Sequence, residues 1–530
     1  MISAVADFDR DQNAFFITFT VEEGEQYTFG DISVETTLPD LDVAALEGAA
    51  RTSPGAVYDS EAVERTLEDL TLAVSSRGYA FAQVRPRGER DYDARTIAIT
   101  YFIDEGARTY IERINVVGNT RTRDYVIRRE FDLAEGDAYN QVLIDKAERR
   151  LNNLGYFKSV KIFSEQGSAP DRVIVNVQVE DQSTGEISIG GGYSTDAGII
   201  AQVSLSERNF LGRGQQVKIA AGRGEDTQTY QLSFTEPYFL DRRLSAGFDI
   251  YRNAIGESSS TSLHPYEEVV NGGTLRLGIP LVEDLTLGLS YNISQSEIDE
   301  ISSKITDVNP NLISDEDRIV SSLGYSLVYN TIDNMAMPRD GIYAKFGQEG
   351  AGVGGDAQFI RTTVQADYYR ELNTDYGIIG HVGAKAGHVV GLGDNLDYRD
   401  HFRMGGDLVR GFESGGIGPR DADTGYLLGG QFFVGGTVET IFPVPLIPSD
   451  LGFYASLFAD AGTVWDVDED TVAATGASVI GDDASIRASV GLGLLWQSPF
   501  GLLRANVALP VAEDDADRTQ LFSFSGGTRF

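Results

Sequence analysis

From Ile319 to Tyr329 the chain alternates: Ile319, Leu323, Tyr325, Leu327 and Tyr329 share one parity, and Val320, Ser322, Gly324, Ser326 and Val328 fill the other. Tyr230, Leu232 and Phe234 alternate in the same way with Gln231, Ser233 and Thr235, and Ile486, Ala488, Val490, Leu492, Leu494 and Trp496 repeat the period further on. A period of two gives a strand one apolar face. About sixteen such segments are expected, near 185–194, 198–207, 215–224, 227–236, 243–253, 270–281, 284–296, 316–330, 340–351, 357–371, 376–390, 425–442, 450–460, 485–497, 500–510 and 519–530. No apolar run is long enough for a transmembrane helix. A sheet that meets lipid can satisfy its backbone only by closing on itself. The expectation for 183–530 is an all-β transmembrane barrel of about 16 antiparallel strands, the even count leaving both barrel termini on one side.

The first third has a different period. SEAVERTLEDLTLAVSSRGYAFAQV sets Val63, Leu67, Leu70 and Val74 on one helical face before Gly78 and Tyr79, and NQVLIDKAERRLNNLGYFKSV sets Leu143, Ala147, Leu151 and Leu154 likewise before Gly155 and Tyr156. Each helix follows a strand (DISVETT, RINVVGN) and a shorter helix, and precedes two strand-like runs (ITYFIDEG, VNVQVED among them). A repeat of roughly 80 residues in the order strand, helix, helix, strand, strand is a small α+β module with helices on one face of a mixed sheet. Two modules are expected, 25–106 and 107–182. Residues 1–24, with FFITFTVEEG, match only the tail of a third.

Composition narrows the chemistry. With 43 basic and 80 acidic residues the net charge is −37, which repels phosphate backbones and argues against nucleic acid as a partner. The absence of cysteine excludes disulfides, thiolate metal ligands and thiol nucleophiles. The 59 glycines suit seams, turns and small lumen positions. The segment after Met1, ISAVADFDRD, has neither the basic start nor the apolar centre of a signal peptide, so a preceding region carrying one is expected to have been removed.

Several segments together resemble the insertases that join POTRA modules to an outer-membrane barrel. YIERINVVGNTRTRDYVIRREFDLAEGDAYN is similar to the start of the last POTRA module, TGEISIGGGYSTDAG to the first barrel strand, and NFLGRG to the turn after the second. LVRGFESGGIGPRD, inside the long connection 391–424, carries the arginine-glycine-aromatic motif of the family as Arg410, Gly411 and Phe412. The resemblance implies that this loop folds back into the lumen and that the arginine meets acidic residues of inner strands, here Glu439 and Asp460. It also implies unfolded β-barrel proteins as clients, accessory lipoproteins on the periplasmic side, outer-membrane lipid and lipopolysaccharide as surroundings, and no cofactor or nucleotide. An autotransporter assembly factor or a two-partner secretion transporter of the same architecture is the nearest alternative; a passive porin is the alternative of a different class.

Enzyme chemistry has little to stand on. His264, His381, His388 and His401 are scattered, and His381 and His388 fall on opposite faces of one strand. Asp466, Asp468 and Asp470 start like a calcium loop, but Thr471 and Ala477 occupy the positions where glycine and glutamate belong; the run reads as a solvated outer loop. The activity is expected at the seam. The first strand holds Ile187, Ile189, Gly190, Gly191 and Gly192, and the last holds Phe522, Phe524, Gly526, Gly527 and Phe530. Glycine weakens strand pairing, so glycines on both closing strands point to a lateral gate.

Overall fold

The computed structural model describes residues 3–9, 14–20, 25–39, 41–77, 79, 81–106, 109–195, 198–256, 265–282, 284–335, 337–373, 376–393, 396–445, 447–448, 451–498 and 501–527. The chain divides into two compact units, Met1–Ser183 and Thr184–Phe530.

In the first unit, Ser3–Asp9 and Ala14–Thr20 form an antiparallel hairpin. Two modules of the expected order follow. In the first, Thr28–Thr36 runs parallel to the central strand Thr96–Glu105, with Ala82–Asp91 antiparallel on its other edge. The helix Ser60–Ser76 buries Val63, Leu70 and Val74 against that sheet, and Asp59 caps its N-terminus by accepting from the Glu61 amide at 2.9 Å. The second module repeats this with Tyr110–Val117, Arg172–Asp181 and Phe157–Gln166. Its helix Gln141–Asn153 buries Leu143, Ile144, Ala147 and Leu151 and is capped by Asn140. Leu67 and Leu154, read as core from the helical period, are only partly buried at the edge of each cluster.

The VVGNTRT turn of the second module shows how sequence fixes local form. Gly118 has φ +91°, and a Cβ there would lie 1.9 Å from the Val179 carbonyl oxygen, so only glycine fits. The turn is tied by Asp181, whose carboxylate accepts from the Arg121 amide at 2.7 Å, the Thr122 hydroxyl at 2.8 Å and the Thr120 hydroxyl at 3.1 Å.

The second unit is a closed antiparallel barrel. Its strands begin with Gly185–Ser194, Gly198–Phe210, Gln215–Arg223, Thr227–Glu236, Ser245–Ile255, Glu267–Val282, Leu285–Asp299 and Arg318–Asn330. The extended run Gly341–Asn373 supplies two more. Its first part pairs with Arg318–Asn330 and its second with Ile378–Gly391. The chain reverses near Gly352, Gly354 and Gly355, all at positive φ, and Gln348 Nε2 donates to Thr362 Oγ1 across the fold-back. Ile378–Gly391, Phe432–Pro443, Phe453–Trp465, Arg487–Ser498, Gly501–Ala512 and Phe522–Gly527 complete sixteen strands. Ile319, Leu323, Tyr325 and Tyr329 are exposed on the outer face, as the alternation requires for a surface facing lipid.

Two local expectations need correction, and two residues fall outside the description. The segment 425–431 was expected to open a strand, but it belongs to the long connection, and the strand starts at Phe432. There Gly429 sits at φ +70° and Gly430 packs against the Trp465 backbone, which excludes an ordinary ladder. The acidic run read as a solvated loop contains the helix Glu469–Thr475, with Asp468 as its N-cap accepting from the Thr471 amide at 2.8 Å. The last strand is described only from Phe522 to Gly527, so Phe530 lies outside the described residues, as does His264.

Asp181 yields a pH prediction. Burial pushes its carboxyl up, but the hydrogen bonds from Arg121, Thr122 and Thr120 outweigh that and hold it below the usual carboxylate range. A depressed carboxyl contributes stability that is complete above its unfolded pKa, near 4, and is lost as pH falls through the lower folded value. In a fragment covering 25–183, Asp181→Asn is expected to cost about 1–3 kcal/mol at pH 7. The variant should also flatten the fall in urea midpoint below pH 4; an unchanged acid slope would refute this reading of the turn.

Candidate functional site

The long connection after Gly391 folds into the barrel as a compact body rather than a loose loop. Met404, Val409, Phe412, Ile417 and Val464 form a buried cluster at its centre. Gly411, at φ +98°, lets the chain turn where a Cβ would sit 3.2 Å from Ala508 Cβ and 3.4 Å from Ser489 Cβ. That close approach brings Arg410 against the inner wall.

The two carboxylates expected to meet Arg410 come from neighbouring strands. Thr437 lies opposite Asp460, and Glu439 opposite Phe458; Val438 and Leu457 point outward, so these four face the lumen. Arg410 Nε and Nη2 donate to the two oxygens of Asp460, each at 2.7 Å, and Nη1 donates to Glu439 Oε1 at 3.1 Å. The Arg410 amide donates to Asp460 as well, at 3.0 Å. Side-chain exposure is 13 % for Arg410, 4 % for Glu439 and 0 % for Asp460. Burial disfavours the charged guanidinium, but Asp460 and Glu439 outweigh it and raise its pKa above the ordinary value. The forked geometry is the one arginine supplies and lysine does not.

Sequence reasoning missed four partners of this cluster. Thr437 Oγ1 accepts from Arg410 Nη2 at 2.9 Å and donates to Asp460 Oδ1 at 2.6 Å. The guanidinium stacks 3.4 Å from the Phe458 ring centroid. Arg504 bonds to Glu439 from another strand, so the carboxylate is shared by two cations. Arg504 was legible as a lone charge at a lumen-facing position of LLRANVAL.

The fourth missed partner is the segment leading into the last strand. The Glu413 amide donates to the Arg518 carbonyl at 3.0 Å, the Arg518 amide to the Gly416 carbonyl at 2.9 Å, and the Gln520 amide to the Gly411 carbonyl at 2.9 Å. Arg420 adds a hydrogen bond from Nε to the Ala516 carbonyl at 3.0 Å and one from Nη2 to the Gly415 carbonyl at 2.5 Å. The lumen loop is thus zipped by its backbone to residues 516–520, two residues before Phe522. Backbone bonds of this kind leave no side-chain pattern in the sequence.

Among the described residues the seam carries the fewest registered pairs of the barrel. Gly185–Ser194 pairs with its sequence neighbour over ten positions, from Gly198 opposite Ser194 to Glu207 opposite Gly185. On its other side, among the described residues, Ser194, Tyr193 and Gly192 are in register with Ser525, Gly526 and Gly527, and the Thr195 amide donates to the Phe524 carbonyl at 3.0 Å. Among the described residues, 185–191 face no strand there. Gly190 and Gly191 lie in that stretch with Ile187 and Ile189, which are 72 % and 80 % exposed. Phe524 reaches across the seam to Tyr193, ring centroids 6.2 Å apart.

The histidines are held by neighbours rather than gathered. His381 Nε2 lies 3.0 Å from Asp367 Oδ1, His388 stacks on Phe432 at 4.1 Å, and His401 Nδ1 is 3.0 Å from the Leu428 carbonyl. Among the described residues no group of acidic and histidine side chains has the arrangement of a metal site.

Comparison with known proteins gives this architecture its context. A family model described as the Omp85 superfamily domain matches residues 209–530, and one for POTRA, described as a surface antigen variable number repeat, matches 27–106 and 109–182. The outer membrane protein assembly factor BamA of Neorickettsia risticii is 31 % identical over 97 % of this chain and 67 % of its own length. That of Neisseria meningitidis is 27 % identical over 98 % and 69 %. The chain thus spans about two thirds of the length of these relatives. Among solved structures, BamA from Haemophilus ducreyi lacking POTRA domains 1–3 superposes with a TM-score of 0.70 at 23 % identity, covering 95 % of this chain and 100 % of that one. CdiB from Acinetobacter baumannii shares the fold at a TM-score of 0.53 and 15 % identity, covering 95 % and 90 %. With the superfamily model matching more than half of its length, behind two POTRA repeats, the chain belongs to the Omp85 superfamily.

Proposed function

We propose that this protein inserts and folds β-barrel proteins into the bacterial outer membrane through a lateral gate between its first and last barrel strands, without nucleotide. Outer membrane protein assembly is the activity named for relatives similar to nearly the whole chain. The observation that supports the gate is the seam, where among the described residues three registered pairs lie on one side of Gly185–Ser194 against ten on the other. An unpaired strand edge is a template for another strand. A client strand added there satisfies backbone groups that would each cost several kcal/mol in lipid. Burial of the client's apolar face then supplies the driving force, so no cofactor or catalytic residue is required.

The lumen cluster is the clamp in this reading. Arg410 fixes the loop to Glu439 and Asp460, and the loop's backbone holds 516–520, so the start of the last strand stays in place while its far end parts from the first. Unfolded barrel proteins are the clients, and accessory lipoproteins on the periplasmic side are the partners of the POTRA repeats.

Two outcomes are expected. Arg410→Ala leaves Asp460 and Glu439 buried beside a lost partner and should cost about 3–5 kcal/mol of local stability. The barrel should then lose its heat-resistant gel band at a lower temperature and assemble clients more slowly. Arg410→Lys should recover only part of this, because an ammonium cannot make the fork; full recovery by lysine would rule out the clamp as described.

For the gate, Ser194 and Ser525 face each other in register. They flank the hydrogen-bonded Thr195–Phe524 pair, which makes them a closely spaced pair suited to a disulfide. Ser194→Cys with Ser525→Cys should, once oxidised, abolish insertion of new barrels, and reduction should restore it, with both single variants active. Normal insertion by the oxidised double variant would move the path to the lumen.

A further inference from the structure

The lipid-facing side of the barrel carries a groove away from the seam, with a volume of about 710 Å³. Its floor is Gly273, in register between Ile250 and Ile293 on the flanking strands. Those isoleucines are 54 % and 47 % exposed and stand as walls where glycine supplies no side chain. A second groove of about 430 Å³, among Leu275, Leu289, Leu323 and Tyr325, lies further down the same strands.

The outward row above Gly273, toward the end opposite the barrel termini, is polar: Tyr230, Arg252, Asn271 and Gln295 follow one another across four strands. Arg252 is exposed and donates from Nη1 to Asn271 Oδ1 at 2.9 Å, and among the described residues no carboxylate pairs with it. Arg223, two strands away and one row further out, is also exposed and has no carboxylate partner among the described residues. Glu297, on the outer side of Gln295, is already engaged by Gln295 Nε2 at 3.1 Å. On a chain of net charge −37, two outward arginines over an apolar groove are an exception that calls for an anion.

We propose that this face holds a membrane lipid with a phosphate headgroup, the phosphate on Arg252 beside Asn271 and one acyl chain lying over Gly273. Dimensions agree with that occupant. From the Arg252 row to the Ala246 row is six residues, about 20 Å of strand. At a barrel tilt of about 35–45° that is about 15 Å of depth, half of a hydrocarbon core of about 30 Å. A guanidinium recognises phosphate through paired N–H donors, and Tyr230 on the same row has the character of an interfacial aromatic. The site lies on the fifth and sixth barrel strands, apart from the seam between the first and the last.

The test is native mass spectrometry of the full chain in dodecyl maltoside micelles, supplemented with either phosphatidylglycerol or diacylglycerol of the same acyl chains. One phosphatidylglycerol per chain should be retained, and diacylglycerol should not. Arg252→Ala should lower retention at least fivefold, and Arg252→Lys, which keeps the charge without the paired donors, should lower it less than Arg252→Ala. Gly273→Leu, which fills the floor while leaving the arginine, should also lower retention at least fivefold. Both positions face lipid, and a normal heat-dependent gel shift confirms an intact barrel. Equal retention of the two lipids, or retention unchanged by Arg252→Ala, would overturn the proposal.

Discussion

Every feature of the barrel answers to one constraint, that backbone N–H and C=O groups in hydrocarbon have no water to bond to. Sixteen strands meet it by closing into a ring, and the closure is uneven. Most neighbouring strands are held over about ten registered positions, whereas among the described residues the first and last share three. Each backbone group left unmet in lipid costs several kcal/mol, so pairing along the whole ring is what the bilayer selects for.

A second constraint acts inside. A guanidinium in a lumen wall is tolerated only with carboxylates in good geometry, since removing charge from water costs more than an imperfect pair returns. Arg410 meets this with a fork to Asp460, a bond to Glu439 and a stack on Phe458. The requirement explains why a connection of some forty residues is an ordered body instead of a disordered outer loop. It also ties the loop to the barrel's end, because the backbone beyond Gly411 spends its hydrogen bonds on 516–520. Charge satisfaction at one wall thereby sets the position of the segment that enters the last strand.

The sequence was legible where a period or a charge reports burial. Leu143, Ala147 and Leu151 at helical spacing gave a module core, and Ile319, Leu323 and Tyr325 at alternate spacing gave a lipid face. The meeting of Arg410 with Glu439 and Asp460 came from the resemblance of the motif; composition and spacing do not contain it. What stayed hidden was set by backbone geometry. The zipper between 411–416 and 516–520 uses carbonyls and amides that every residue has. The true start of the strand at Phe432 depends on Gly429 and Gly430 fitting against His401, Phe402 and Trp465. Helix Glu469–Thr475 was obscured by its acidic residues, which were read as solvation although Asp468 is a cap.

Glycine has two distinct uses in this barrel, and neighbours separate them. Gly190 and Gly191 sit on the closing strand, where among the described residues no strand faces them on the seam side, and their missing side chains weaken strand pairing. Gly273 is paired on both sides, to Ile250 and Ile293, and its backbone is as firmly held as any in the sheet. Its missing side chain therefore changes the outer surface instead of the pairing. A lipid seated over Gly273 would fill a gap in that surface without a new hydrogen bond.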